Sequence, residues 1–308
     1  MKPTINDIAN DLNLNISTVS RALKDNPIIK ESTRKLVQDK ALEMGYKPNL
    51  TAQHLAIGKT KTIWFILGDY GDKLQQVPVQ VVSKLAQEYG LHMLSALHHH
   101  DYTVLESLLD RMSQGACDGA IIIPPFESSK DFSHSLLHSD FPLVCLDRKI
   151  SKLPLVSTHN QQAVQKLIQH CHDQGCTDYV NLFNQHNSVE DTRYKATIKY
   201  LKELNLTEVS EKIKYRTWKQ NEKPLAIVST SPYAVQGFIE KYNIKNPIFL
   251  CSFDIMLPTI NNVIQHISVL QDFEAIAKKS FFELHKILQT GIKKTRAVQV
   301  PPLKLLIN

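Results

Sequence analysis

Residues 4–23 read Thr4-Ile-Asn-Asp-Ile-Ala-Asn-Asp-Leu-Asn-Leu-Asn-Ile-Ser-Thr-Val-Ser-Arg-Ala-Leu23, and they decide the architecture of the front of the chain. Ile5, Ile8, Ala9 and Leu12 recur at helical spacing, so a short helix has one apolar face. Thr4 precedes that face and Asp7 follows three residues later, the pattern of a capping box in which each side chain meets the other's backbone N–H. Asn13 tolerates a left-handed turn and Asn15 suits a helix start. A second helix is therefore expected from near Ile16, with Val19, Ala22 and Leu23 turned inward. Two short helices joined by a tight turn form a helix-turn-helix, whose second helix enters a DNA major groove.

Four segments then follow in order: Thr18-Val-Ser-Arg21, Glu31-Ser-Thr-Arg34, Gly45-Tyr46-Lys-Pro-Asn49 and Ala52-Gln-His-Leu55. In content and spacing they resemble the lactose-repressor (LacI) family of bacterial transcription factors. The resemblance implies base-reading roles for Ile16, Ser17 and Arg21. A guanidinium can pair bidentately with guanine, Ser17 is permissive, and Ile16 offers only apolar contact, for example with a thymine methyl. Thr18, Ser20 and Lys24 are assigned to phosphates, which position the protein without specifying a sequence, and Thr4 is a further DNA-binding position. Lys30 stands where the family usually has a capping Ser, so the third helix is expected to start less firmly, although Glu31 suits the dipole of its first turn.

Pro48 disfavours helix at Lys47, Asn49 can cap a new segment and Gly58 can stop it, leaving about two turns at residues 50–57. So short a helix is marginal alone in water. The resemblance implies that it forms on DNA against its dimer partner, with Asn49 at the DNA and Leu55 pushed into the minor groove as a wedge. Such wedges unstack a base step and bend the duplex. The division expected is a helix-turn-helix domain at 1–48, a hinge at 49–61, and a core at 62–308.

Charge agrees with that division. Residues 1–61 hold ten Lys or Arg against six Asp or Glu, whereas the remaining residues hold 26 against 24. The basic excess is concentrated where phosphate neutralisation would need it. At 308 residues and 43% hydrophobic content the chain can bury more than one core. No stretch approaches the roughly eighteen apolar residues of a membrane span, and the first residues lack the apolar core of a signal peptide. A soluble, cytoplasmic protein with no membrane partner is expected. The five cysteines are odd in number and stand in apolar contexts, which predicts reduced, buried thiols.

From Thr62 the pattern becomes an alternation of apolar runs and amphipathic stretches. Strands are expected at 62–67, 91–97, 119–123 and 142–146, with helices near 79–89, 103–113 and 129–139. A second series follows: helix 161–174, strand 179–183, helix 189–204, strand 225–229, helix 232–242, strand 247–251 and helix 273–290. Alternation of this kind gives an α/β fold with parallel sheets covered on both faces. Two series imply two lobes with a cleft between them, a core that in the family resembles periplasmic sugar-binding proteins. The resemblance places lobe crossings near 154–160 and near Thr290, giving lobes of about 62–158 plus a C-terminal return, and 159–290.

For the cleft, Arg193 matches the family's ligand-binding Arg and Asp254 its ligand-binding Asp. A guanidinium and a carboxylate facing one cleft would bind the hydroxyls of a sugar, or a phosphate at the guanidinium. Leu74, Gln75, Arg148, Ser231 and Gln271 align with further effector positions. Departures touch the same region: Pro232 replaces an acidic helix-opening residue, His159 replaces an Asp before Asn160, Trp64 replaces a Gly of the first core strand, and the chain between Ile213 and Lys223 is short. The run Ser229-Thr-Ser231-Pro-Tyr-Ala-Val-Gln236 leans toward the fructose- and sucrose-repressor branch.

Other constellations point away from an enzyme. His98-His-His-Asp101 reads as a solvated strand-to-helix loop rather than a metal clip, and His170-Cys-His172 with Cys176 puts too few side chains on one face for a tetrahedral site. Gly68-Asp-Tyr-Gly71 satisfies no dinucleotide or P-loop fingerprint, and no Gly-x-Ser-x-Gly elbow occurs. No cofactor and no metal are expected. The reading is a DNA-binding repressor of a carbohydrate-utilisation operon, acting as a homodimer on a pseudo-palindromic double-stranded operator and gated by a sugar or sugar-phosphate effector. The alternatives are a solute-binding protein, or a regulator whose ligand control is altered or lost. The absence of leucine heptads beyond the core points to dimers rather than tetramers.

Overall fold

The capping box at Thr4 forms as its spacing requires. Thr4 N donates to Asp7 Oδ2 at 2.7 Å while Asp7 N donates back to Thr4 Oγ1 at 3.4 Å, which starts α1 (Ile5–Asp11). The computed structural model describes residues 3–47, 58–71, 73–126, 132–183, 188–215, 217, 223–230, 232–254 and 262–308. It divides into a unit of residues 1–60 and a unit of residues 61–308.

In the first unit Asn13 takes the left-handed conformation at φ +54°, and α2 (Ile16–Ala22) follows. Asn15 precedes it without a side-chain capping bond, and Lys30 precedes α3 (Glu31–Glu43) likewise. These uncapped starts are held by packing: Ile8, Ala9, Val19, Ala22, Val37 and Ala41 form one small core across the three helices. At the surface Lys40 joins α3 to α1 through Asp11 at 2.6 Å. The expected hinge at 50–57, with Asn49 and Leu55, lies outside the described residues.

The second unit contains two six-stranded sheets. The first is built from β1 (Thr62–Leu67), α4 (Lys73–Glu88), β2 (His92–Leu97), α5 (Tyr102–Ser113), β3 (Gly119–Ile122), α6 (Ser135–His138), β4 (Leu143–Leu146) and β5 (Leu155–Thr158). The chain then supplies α7 (Asn160–Asp173), β6 (Asp178–Asn181), α8 (Ser188–Glu203), β7 (Thr207–Glu208), α9 (Ser210–Lys214), β8 (Leu225–Val228), α10 (Pro232–Tyr242), β9 (Ile248–Phe253) and β10 (Val263–Leu270) to the second. It ends with α11 (Phe273–Thr290), β11 (Ala297–Val300) and β12 (Lys304–Ile307). Strand order is β11-β5-β4-β3-β1-β2 in one sheet and β12-β10-β9-β8-β6-β7 in the other. Every pairing is parallel except β10 with β12.

The uninterrupted apolar runs become central strands because both faces are covered: β3, β4 and β8 are buried at every position. In the first sheet Ile63, Phe65 and Leu67 pack beneath α4 and α11, and Ile66, Ala120 and Ile122 face α5. In the second, Ala226, Val228, Phe249 and Cys251 face α7 and α8, and Leu225, Ile227 and Leu250 face α10. All five cysteines are free and buried, and burial pushes the thiols of Cys117 and Cys145 up to about 12.

Three sequence expectations are corrected. The return from the second lobe falls at Leu270–Phe273 rather than near Thr290, because α11 packs its apolar face on the first sheet through Phe273, Ile276, Phe281 and Leu284. A third crossing joins β11 to β12, so the last strand belongs to the second sheet. The helix expected at 129–139 is described only as the single turn Ser135–His138, with residues 129–131 outside the described set.

Candidate functional site

In the first unit the inward positions of α2 are fully used by the core, so its remaining face is polar and open. Ile16, Ser17, Arg21 and Lys24 are exposed, while Thr18 and Ser20 are half-buried. Ile16 is a large apolar side chain left 51% exposed at the first position of the helix. Thr4 differs from the others. Its hydroxyl donates to Asp7 Oδ2 at 2.8 Å and accepts from Asp7 N, so capping already engages both capacities.

In the second unit the three crossings bring distant residues into one buried polar cluster. Arg193, on α8, is 5% exposed. Its Nε donates to Asn160 Oδ1 at 2.8 Å, its Nη2 donates to Gln271 Oε1 at 3.3 Å, and its guanidinium carbon stands 3.6 Å from the centroid of the Phe253 ring. Gln271, on the crossing before α11, donates from its backbone N to Asp254 Oδ1 at 2.7 Å and from its side chain to Asp254 Oδ2. Thr158, at the end of β5, donates its hydroxyl to the same Gln271 oxygen. Thus Gln271 ties two of the three crossings to both charged residues.

Burial sets the electrostatics of this cluster. It draws the Arg193 guanidinium below its usual value, an effect opposed by Asp147, Asp254 and Glu190. It pushes the Asp254 carboxyl above the usual carboxylate range, opposed by the bonds from Gln271 and by Arg193. Taking both charges out of water is costly unless they are hydrogen-bonded, and the amides of Gln271 and Asn160 supply that compensation. Asp147 bears on both Arg193 and Asp254, and Arg148 on Arg193, so the end of β4 faces this cluster across the crossings.

The sequence expectations divide accordingly. Arg193, Asp254 and Gln271 are brought together. Arg148 is buried beside Asp147 at 3.9 Å and stands 4.3 Å from the centroid of Phe126. Gln75 is 0% exposed, and its Oε1 accepts from the backbone N of Gly68 at 2.9 Å and of Asp69 at 3.0 Å. It shapes the loop after β1. Leu74 belongs to the first turn of α4, its side chain outside the described set, and Ser231 is outside the described residues. Thr158, Asn160 and Phe253 were not singled out; Asn160 opens a helix directly after a strand, a signal that had been available.

Two departures prove compatible with the fold. His159 caps α7 by accepting from Gln162 N at 3.2 Å through Nδ1, the task an Asp would perform. Pro232 is the first residue of α10, a position where its missing N–H costs nothing. The histidine loop needs correction: His98 is fully buried rather than solvated, with Nε2 bonded to Ile123 O at 2.8 Å and Nδ1 accepting from His100 N at 3.0 Å.

A three-helix unit with an open second helix, followed by two parallel-sheet lobes around a polar cluster, defines a helix-turn-helix protein with a two-lobed α/β core. Residues 4–49 match the bacterial regulatory proteins of the lacI family. It is 27% identical over 199 residues to the HTH-type transcriptional regulator RegA of Clostridium saccharobutylicum, covering 65% of this chain and 56% of that one. The chain spans about half the length of that relative and of the catabolite control protein A of Priestia megaterium. In fold it is similar to the lac repressor dimer bound to operator and the anti-inducer ONPF, with a TM-score of 0.73, 15% identity, and coverage of 99% and 98% of the two chains.

Proposed function

We propose that this chain is a sequence-specific, DNA-binding transcriptional repressor, dimeric on a pseudo-palindromic operator and controlled by a sugar or sugar phosphate bound at the Arg193–Asp254 cluster. The observation that carries the DNA-binding part is the exposed face of α2, where Ile16, Ser17 and Arg21 share the open surface of a helix whose other side is spent on the core. Arg21 reads a guanine and Ile16 a thymine methyl, with Ser17 permissive between them. Thr18, Ser20 and Lys24 hold phosphates. Asn49 and Leu55 extend the contact into the minor groove. The match of residues 4–49 to the lacI family and the curated regulators it resembles support this reading.

The effector part rests on the buried guanidinium and carboxylate, one all-donor and one acceptor, which together suit a ligand rich in hydroxyls. Gln271 and Arg148 stand beside them; Gln75, Leu74 and Ser231 are further effector positions that the family resemblance suggests. Ligand binding competes for the bonds that Gln271 makes across the crossings, and so shifts the balance between two lobe arrangements. Such control needs unequal affinity for the two states, with coupling of about 1–3 kcal/mol. The protein works in the cytoplasm as a regulator rather than an enzyme, and no helix among the described residues is long and apolar enough to cross a membrane.

The test is fluorescence anisotropy of the full-length protein on DNA selected from a random pool, with and without a panel of sugars and sugar phosphates. A selected palindrome whose affinity changes when one sugar is added is the expected result. Binding indifferent to sequence removes the repressor reading. Selective binding that no sugar alters leaves a regulator without this effector. Light scattering is expected to give twice the mass of one chain.

A further inference from the structure

The carboxyl ends of four adjacent strands, β2, β1, β3 and β4, carry a run of flat side chains that the effector reading does not use. Ligands of open α/β sheets bind at this edge of the strands. After β2, His98 is buried and bonded on both ring nitrogens, and it accepts the backbone N of His100. Burial draws the His98 imidazole down to about 4, so this anchor is neutral. His99 and His100 then take the left-handed conformation at φ +49° and +59°. That turn swings the His100 ring over the ends of β1 and β3. It stacks on Phe126 with centroids 4.1 Å apart and planes 24° from parallel, and its Nε2 is 3.5 Å from Asp69 Oδ2.

Beneath the ring is Gly68, the residue after β1. A Cβ at that position would fall 2.2 Å from His100 Cε1 and 2.4 Å from Nε2, so the ring rests directly on backbone and only glycine allows it. Phe126 also carries the Arg148 guanidinium, and Arg148 and Asp147 act on Arg193 in the opposite lobe. Thr158, at the end of the neighbouring β5, bonds the Gln271 oxygen that Arg193 also meets, so the layer Arg148, Phe126, His100 runs from the Arg193–Asp254 cluster along the carboxyl ends of the first sheet, with His100 at its β1–β2 end.

We propose that His100 sets the size of the effector: its ring occupies the ground above Gly68 that a second sugar residue would need, so the site accepts ligands of a single sugar ring. This rests on the effector reading given above. A ligand extending from Arg193 and Asp254 along this edge passes Arg148 and Phe126 and is stopped at the imidazole. Removing the ring uncovers the Gly68 backbone and one face of Phe126, a floor and a flat wall suited to the apolar face of a second ring.

The test is calorimetric titration of the full-length protein, its His100→Gly variant and its Gly68→Ala variant with fructose, fructose 1-phosphate, cellobiose and trehalose. Glycine suits φ +59° without strain, so His100→Gly removes the ring and keeps the turn; Gly68→Ala instead puts a methyl on the floor and pushes the ring outward. Wild type is expected to take a single-ring ligand in preference to either disaccharide. In His100→Gly the ratio of disaccharide to single-ring affinity should rise by about tenfold or more, whereas Gly68→Ala, which fills the floor itself, should not raise it. A wild-type protein that binds a disaccharide as well as any single ring overturns the inference and leaves the effector reading standing. So does a ratio that stays level or falls in His100→Gly. Failure of all four ligands on all three proteins overturns the effector reading, and the inference with it.

Discussion

The two units hold their functional side chains in opposite ways. On α2 and just after it, Ile16, Ser17, Arg21 and Lys24 are exposed, carried by a short helix packed through Val19 and Ala22. At the crossings, Arg193 is 5% exposed and bound to Asn160, Gln271 and the face of Phe253. The first arrangement is made to be completed by a partner from outside. The second is already complete, so any ligand must displace bonds that exist. Substitutions on α2 should consequently change binding and leave stability alone, whereas substitutions at the crossings should change both.

The largest effect is expected at Arg193. Replacing it with Ala leaves Asp254 and Asp147 in a buried setting without their shared cation and strands the amides of Asn160 and Gln271. Loss of one partner from a buried charged network costs about 3–5 kcal/mol, to be read as a lowered urea midpoint of the second unit. Arg193→Lys should recover part of it, since an ammonium restores charge but not the fork. A urea midpoint unchanged in Arg193→Ala would break the contrast between the units.

Next in size is Arg21→Ala. It should weaken binding to the selected operator by about 1–3 kcal/mol and relax preference at one base pair of each half-site, while the urea midpoint stays where it was. Equal loss on operator and on unrelated DNA would demote Arg21 to a phosphate contact. Lys24→Ala, by comparison, should weaken all sequences evenly and lower the salt slope by about one.

The same contrast explains what the sequence disclosed. The first unit is local: Thr4 with Asp7, Asn13 at the turn and the inward Val19 and Ala22 are all read within twenty-odd residues, and each is found in place. The strands of the second unit were legible where both faces are buried, as at 143–146 and 225–228. They were missed where burial is partial. β11 and β12 show mixed exposure and lie after a long helix, so nothing in their pattern announces that one belongs to each sheet. The polar cluster was half legible. Arg193 and Asp254 stand out as charges in matching segments, but Thr158 and Asn160 become partners only through the crossings, a property of topology that no window of sequence contains. His98 escaped for a related reason. A histidine beside two others reads as loop, and only the Ile123 carbonyl just after β3 that meets it makes it core.

His98 offers a smaller, pH-dependent test. Its ordinary value is 6.5 and burial lowers it to about 4 in the folded chain. The unfolded chain therefore binds a proton between those limits that the folded chain refuses. Stability from this residue is fully present above pH 6.5 and is lost as pH falls toward 4, with a slope below about 1.4 kcal/mol per pH unit. A His98→Gln variant keeps a donor for Ile123 O and has nothing to titrate. Subtracting its stability curve from that of wild type should give a difference confined to that window; a flat difference would show that His98 is solvated after all.

The smallest effects are expected at the helix starts of the first unit, where the three N-termini differ in their side-chain caps. Thr4 makes its capping bonds in both directions, whereas Asn15 and Lys30 make none through their side chains. A cap that satisfies an orphan N–H contributes about 1 kcal/mol. Thr4→Ala should lose about that much, seen as faster amide exchange in α1, because the hydroxyl's bonds from Asp7 N and to Asp7 Oδ2 both go, leaving Asp7 N its backbone bond to Thr4 O at 3.2 Å. Asn15→Ala removes a side chain that accepts nothing, and its exchange profile should be nearly that of wild type. The pair separates capping from packing. If both variants exchange alike, the helices are held by Ile8, Val19 and Val37 alone; if Asn15→Ala proves the worse, Asn15 serves the turn to α2 in a way its uncapped geometry does not display.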